Sequence, residues 1–139
     1  MDQTNSNDRL VLNTVIRLDK LVCGKQGAIS QGNDNKTVIL NINLSSEQDK
    51  ESCTLTMQAV VKGQEVLEQE ASSRNLFEVE AVGSAVVQAE KLNPEDKQIV
   101  ASSLFSFLSG RISNLIVDMG YSGVFIPRVL PRSALQQKS

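Results

Sequence analysis

Residues 93–131 read NPEDKQIVASSLFSFLSGRISNLIVDMGYSGVFIPRVLP, and this stretch decides the fold. Asn93 is a helix N-cap by residue type, and Pro94 suits the first helical position. Glu95 and Asp96 place negative charge at the positive end of the helix dipole. Apolar residues recur at helical spacing from Ile99 onward, which predicts a helix over Pro94–Met119. They fall on two stripes. Val100, Leu104, Phe107 or Leu108, Leu115 and Met119 make one; Phe105, Ile112 and Ile116 make the other. One stripe suffices to pack a helix on a sheet, so the second is assigned to an oligomer interface. Gly110 inside the helix costs about 1 kcal/mol relative to alanine and permits a kink or a close crossing. Gly120 is placed to cap the helix. Pro127 and Pro131 bias the residues before them away from helix, so Val124–Leu130 is expected to be an extended apolar ribbon. A short terminal helix is expected over Ser133–Lys138.

Working back from the helix, four segments read as strands. Arg9–Val22 carries Leu10, Leu12, Ile16, Leu18 and Val22 in near alternation, while Val15 and Leu21 break phase, which predicts a bulge or bend. Gly24–Lys36 is a polar loop or crossover. Thr37–Leu44 puts Val38, Leu40, Ile42 and Leu44 on one face. Ser45–Glu51 is a polar connector. Cys53–Lys62 alternates Cys53, Leu55, Met57, Ala59 and Val61 against Thr54, Thr56, Gln58 and Val60. Lys62-Gly63-Gln64 is expected to be a tight turn, which makes its flanking strands antiparallel. A fourth strand is read from Glu65 towards Val82, broken near Ser72-Ser73-Arg74-Asn75. Gly83–Lys91 fits either more strand or a short helix.

Of the 139 residues, 22% are charged and 40% hydrophobic, ordinary values for one globular domain. The expected division is a disordered lead over 1–8, a single domain over 9–135 and a polar tail over 136–139. The formal charge is −2, and the 14 basic residues are scattered among 16 acids, which argues against nucleic acid. The chain has no histidine, so the usual general base and metal ligand is missing. Cys23 and Cys53 lie thirty residues apart, in neither a redox nor a zinc spacing, and read as reduced thiols. Glu78 and Glu80 alternate with Phe77, Val79 and Ala81, which puts both acids on a solvent face without the burial a catalytic pair needs. Ser72-Ser73 and Ser102-Ser103 have no histidine partner. No enzyme, metal or cofactor is expected. The polar start MDQTNSNDRL has no signal architecture and no apolar run reaches spanning length, so a cytoplasmic protein without membrane insertion is expected.

What remains is surplus apolar surface. The ribbon Val124–Leu130 either closes its own subunit's core or forms an apolar groove with Val38, Leu40 and Ile42.

In segment order and length the chain resembles the SecB-type protein-export chaperones over about residues 9–135. The resemblance rests on the bent first strand ending LDKLVCGK, on KTVILNINLSS after a polar crossover, and on SCTLTMQAVVKGQE running on to LEQEASSRNLFEVE. It ends with GRISNLIVDMGYSGVFIPRVLP, a helix leading into a proline-containing extended segment. The resemblance implies an α+β fold: a four-stranded antiparallel sheet with the long C-terminal helix and a short terminal helix on one face. It implies a dimer or dimer of dimers, and ATP-independent binding of unfolded or precursor polypeptides. Val38, Leu40 and Ile42 match the family's groove-lining strand, and Phe125, Ile126, Val129 and Leu130 its extended segment. Export members also carry acids that dock the translocation motor. Of these only Glu70 is matched; Lys20 and Gly24 stand at the first-strand positions, and Glu68 replaces an apolar residue. The chain ends Gln136-Gln137-Lys138-Ser139, without the family's acidic tail. A client-restricted chaperone, for instance of an antitoxin, fits alongside an export factor. The alternative class is a structural module, a homo-oligomeric subunit of a larger assembly.

Overall fold

A computed structural model describes residues 14–25, 36–67, 72–88, 92–121, 124 and 126–127. Four strands come first: β1 (Thr14–Lys25), β2 (Lys36–Gln48), β3 (Cys53–Leu67) and β4 (Ser72–Val87). One helix, α1 (Pro94–Asp118), follows. The sheet order is β1-β4-β3-β2 and every pairing is antiparallel. The last three strands form a meander and the first crosses to lie beside the fourth, a Greek-key order. The expected α+β architecture, a four-stranded antiparallel sheet and a long C-terminal helix, is the observed one. The expected terminal helix, lead and tail lie outside the described residues.

The broken alternation in β1 has the anticipated cause. Leu18 opposes Gly83 and Lys20 opposes Val82, so Asp19 is one residue too many for the ladder. Before it Ile16 and Leu18 face the core; after it Leu21 does, and Val22 turns outward, 50% exposed. A bulge flips side-chain phase in this way. The strand lies over Thr14–Lys25, where Arg9–Val22 was expected, and Leu10 and Leu12 lie outside the described residues.

Two expectations need correction. The polar connector after β2 is mostly strand, and the turn shrinks to Asp49–Ser52. There the Asp49 N–H donates to the Ser52 carbonyl at 2.8 Å, while Gln48 Nε2 donates to the carbonyls of Asp49 and Ser52. The second correction is larger: Lys62-Gly63-Gln64 is no turn. β3 runs through it to Leu67, and Leu67 opposes Ser72 at the start of β4. Gly63 has a different reason to be glycine. A Cβ there would come within 2.1 Å of the Phe77 ring, so the missing side chain is the seat of that ring. The ladder shifts by one residue at the same place. Ser72–Asn75, read as a break within a strand, belongs to the beginning of β4, which continues through Gly83 to Val87.

Helix α1 begins as its residues dictate. Asn93 Oδ1 accepts from the Asp96 N–H at 2.8 Å, satisfying one of the unpaired first-turn donors. It ends in a Schellman motif. Gly120 at φ +98° donates to the Val117 carbonyl at 2.9 Å, and Tyr121 donates to Ile116 at 3.2 Å. The helix lies on β4 first, then on β3 and β1. Gly83 admits it closely, since a Cβ at Gly83 would meet Leu108 Cδ2 at 2.9 Å. The core between the layers is aliphatic, with Leu55, Met57, Val61 and Val79 below and Leu104, Leu108, Ile112 and Ile116 above.

Candidate functional site

The helix does not rest on all four strands, and β2 is the one it chiefly misses. β2 presents Val38, Leu40, Ile42 and Leu44 to the helix side of the sheet, as its alternation predicts. Ile42 is buried at 7% exposure, while Val38, Leu40 and Leu44 are only half-buried against the core. β2 is also an edge. Its inner side pairs with β3 over thirteen residue pairs without interruption, and among the described residues no strand pairs with its outer side. A strand edge with no strand partner among the described residues, beside a half-covered aliphatic row, forms a surface suited to an extended peptide. The opposite edge is less suited, because the Asp19 bulge interrupts β1, and Arg17, Lys20 and Lys25 stud that strand.

Beyond the helix the chain turns back. Ile126 is buried at 4% in the same core cluster as Ile42, and Val124 packs against that cluster. Ser109, buried on α1, donates its hydroxyl to the Pro127 carbonyl at 2.7 Å. At the near end, the Tyr121 hydroxyl donates to the Leu76 carbonyl at 2.8 Å. The Tyr121 ring packs on Phe77 with centroids 4.9 Å apart, and Lys25 Nζ stands over it at 5.5 Å. These contacts tie the end of α1 to the sheet.

The expected site residues therefore separate. Val38, Leu40 and Ile42 share one face of β2. Ile126 points into the core and offers no open surface. Phe125, Val129, Leu130 and Glu70 lie outside the described residues. Phe105, Ile112 and Ile116, assigned to an oligomer interface, are each 1% exposed and lie in the subunit's own core. The helix is sunk deeply enough that the stripe expected to face a partner is buried in the subunit together with Val100, Leu104 and Leu108 of the other. Its outward apolar residues are Val117, 65% exposed, with Ile99 and Phe107 half-buried and the Arg111 guanidinium over the Phe107 ring at 5.2 Å.

Two side chains of consequence were missed by sequence reasoning. Glu65 is fully buried and accepts from Arg74 Nη2 at 2.7 Å. It lies in phase with Val61 and Gly63 on the core face of β3, a position hidden once the strand was ended at Lys62. Ser109 was not singled out from the sequence, and no local signal marks its distant acceptor.

The other sheet face is polar and internally paired. Lys20 Nζ lies 3.2 Å from Glu80, Gln58 Nε2 donates to Glu80 at 2.6 Å, and Lys62 lies 3.9 Å from Glu78. The Gln58 hydrogen bond, and after it Lys20, holds the Glu80 carboxyl below its ordinary pKa. Arg17 approaches both Ser84 and Asp19. Among the described residues no cluster of three or more metal-ligating side chains occurs. Cys23 is exposed on β1 and Cys53 is buried at the start of β3, both reduced.

This arrangement was compared with known proteins. No family model matches the sequence, and no curated protein matches it. A solved structure does match: a SecB-like chaperone of Mycobacterium tuberculosis in complex with a ChAD peptide from the HigA1 antitoxin. It superposes with a TM-score of 0.70 over 91% of this chain and 96% of that one, at 12% sequence identity. The fold is SecB-like. At that identity the likeness is one of fold. A second match, a Streptococcus agalactiae protein of unknown function, has a TM-score of 0.38 at 14% identity, over 82% of this chain and 96% of that one, and carries no argument. In this SecB-like frame β2 is the outermost strand of the meander and α1 the helix that leaves it half-covered.

Proposed function

We propose that this chain is an ATP-independent holdase that binds non-native polypeptides along β2. One observation carries the reading: the row Val38, Leu40, Ile42 and Leu44 is only partly covered by the subunit that bears it, beside a strand edge with no partner among the described residues. Main-chain pairing is indifferent to sequence, and an aliphatic row selects for alternating apolar side chains, so such a surface takes many clients of one general kind. The peptide in the M. tuberculosis SecB-like structure comes from an antitoxin, which favours a client-restricted role of that kind. Export remains the alternative. Its motor-docking positions on β1 are Lys20, engaged with Glu80, and Gly24, and neither supplies an acid.

The holdase acts in the cytoplasm and as a homo-oligomer. The oligomer surface is the outward side of α1 around exposed Val117 and half-buried Ile99 and Phe107. The test is suppression of aggregation of an unfolded protein without ATP, with the oligomer mass determined on the same sample. Suppression that is lost in Leu40→Asp, with the helix and sheet signals unchanged, is the expected result. A well-folded protein that leaves aggregation unaffected at several-fold molar excess sinks the reading and moves the assignment to a structural subunit.

A further inference from the structure

β2 carries a second regularity besides its aliphatic row. In an antiparallel ladder the main-chain groups of successive residues point alternately towards the neighbouring strand and away from it. Which residues of β2 point which way is fixed at its turn. There the Asp49 N–H donates to the Ser52 carbonyl at 2.8 Å, so these two face each other as a hydrogen-bonded pair. Gln48 and Cys53 beside them are then a non-hydrogen-bonded pair. The register runs from there to Lys36 and Glu65 without a shift, so the alternation is never reset. Ile39, Asn41 and Asn43 bond β3. Val38, Leu40, Ile42 and Leu44 turn their N–H and C=O groups the other way, to the edge where no strand pairs among the described residues.

Those four residues are also the aliphatic row on the helix side of the sheet. With the opposite alternation, the outward main chain would belong to Ile39, Asn41 and Asn43 on the polar face. The match matters for whatever pairs there. In an antiparallel partner, the residue opposite Leu40 exchanges both main-chain bonds with it and puts its side chain on the same face. One partner residue thus uses the backbone and the side chain of Leu40 together. The partner residues in between turn their N–H groups away from β2 and lay their side chains beside Ile39, Asn41 and Asn43. Those residues can lack an N–H without cost to the ladder, so proline fits there and not at the apolar positions. Antiparallel addition is the choice because every pairing already in the sheet is antiparallel, and such ladders are slightly more stable per residue.

We infer that the clients of this surface are extended segments that add antiparallel to β2, with apolar, N–H-bearing residues at alternate positions and proline confined to the positions between. This rests on the holdase reading given above and narrows its clients. The row from Val38 to Leu44 takes up about seven client residues. A segment with prolines at its apolar positions is passed over, however hydrophobic it is.

The experiment uses the full chain and a fluorescein-labelled synthetic peptide in which leucine and serine alternate. Binding is read by fluorescence anisotropy, with a single N-methyl group placed on an interior leucine or on an interior serine. The change is in the peptide, so the fold of the protein is not at risk. At leucine, N-methylation removes a main-chain bond to β2 and is expected to weaken binding by about 10-fold. At serine it removes none, and binding is expected to stay within about 2-fold of the parent peptide. Leu40→Asp is expected to abolish binding of the parent. The reverse pattern, tolerance at leucine and loss at serine, is that of a parallel strand and overturns the inference. Equal sensitivity or equal tolerance at the two positions overturns it as well, as does a parent peptide that binds undiminished in Leu40→Asp. A chain that suppresses aggregation but ignores the parent peptide overturns the inference and leaves the holdase standing. A chain that does not suppress aggregation removes the holdase reading itself, and the inference with it.

Discussion

Replacing Gly63 by alanine adds one carbon atom where the sheet has no room for it. The new Cβ would stand 2.1, 2.4 and 2.7 Å from three atoms of the Phe77 ring, where ordinary contact begins near 3.4 Å. Phe77 is 1% exposed and packs against Tyr121, itself pinned to Leu76, so the ring cannot swing away without breaking other contacts. Overpacking of this kind costs about 1–3 kcal/mol. Loss of the Phe77–Tyr121 pair adds about 0.5–1.5 kcal/mol. Alanine returns about 0.4–1 kcal/mol by restricting the unfolded chain. The net expectation is a loss of about 2 kcal/mol, or about 6 °C in melting temperature for a domain of this size. Urea unfolding followed by far-ultraviolet circular dichroism measures it. Tyr121 is the single tyrosine in a chain without tryptophan, so its fluorescence reports the same site independently. Pairing the change with Phe77→Leu should recover part of the loss, giving a coupling well above 0.5 kcal/mol between neighbours. Stability of Gly63→Ala within about 0.5 kcal/mol of wild type refutes the assignment of Gly63 as the seat of the ring.

Other outcomes follow from the same contacts. Tyr121→Phe removes the hydroxyl donor to Leu76 and should cost about 1–2 kcal/mol in urea unfolding; no change would mean that the bond adds nothing to the tie between helix and sheet. Arg74→Met leaves the buried Glu65 carboxylate without its 2.7 Å partner and should cost about 2–3 kcal/mol, at the low end for a broken buried pair because Arg74 is itself 45% exposed. A gain in stability from that change would show the pair to be a net burden. Glu80 supplies a pH test. Its carboxyl is held below the ordinary value by Gln58 and Lys20, so its contribution is complete above the unfolded glutamate pKa and disappears as pH falls through the lower folded one. The stability gap between wild type and Gln58→Leu should be widest near neutrality and close on acidification; a gap that opens instead contradicts the assigned cause.

Much of the fold was legible because it is written locally. The phase break in β1 announced the Asp19 bulge, four aliphatics at alternate positions announced β2, and Asn93-Pro94 and Gly120 marked both ends of the helix. What escaped depends on distant neighbours. A glycine between polar residues signals a turn and a close approach equally well. Only Phe77, fourteen residues on, decides between them at Gly63. The error hid Glu65, since ending β3 early removed the alternation that places that acid in the core. The two stripes of α1 were both seen, but that both are buried within the subunit depends on how deeply the helix sinks, and Gly83 on β4 admits its close approach. In the candidate site, β2's open row was legible and its covering was not. Ile126 was read as part of an exposed apolar ribbon; it is buried, and the carbonyl of the next residue, Pro127, accepts from Ser109 across eighteen residues.

The place of β1 beside β4 has a consequence during synthesis. β1 is made first, yet its nearest paired residues, Lys25 and Phe77, are 52 positions apart, and Thr14 and Val87 are 73 apart. At about 5–20 residues per second, the ribosome leaves that strand without its partner for roughly 3–15 s. For that interval Ile16, Leu18 and Leu21 have no sheet to enter, and β2 and β3 can already close on each other. The nascent chain thus passes through a state with a bare aliphatic strand, and completion of β4 is the event that ends it.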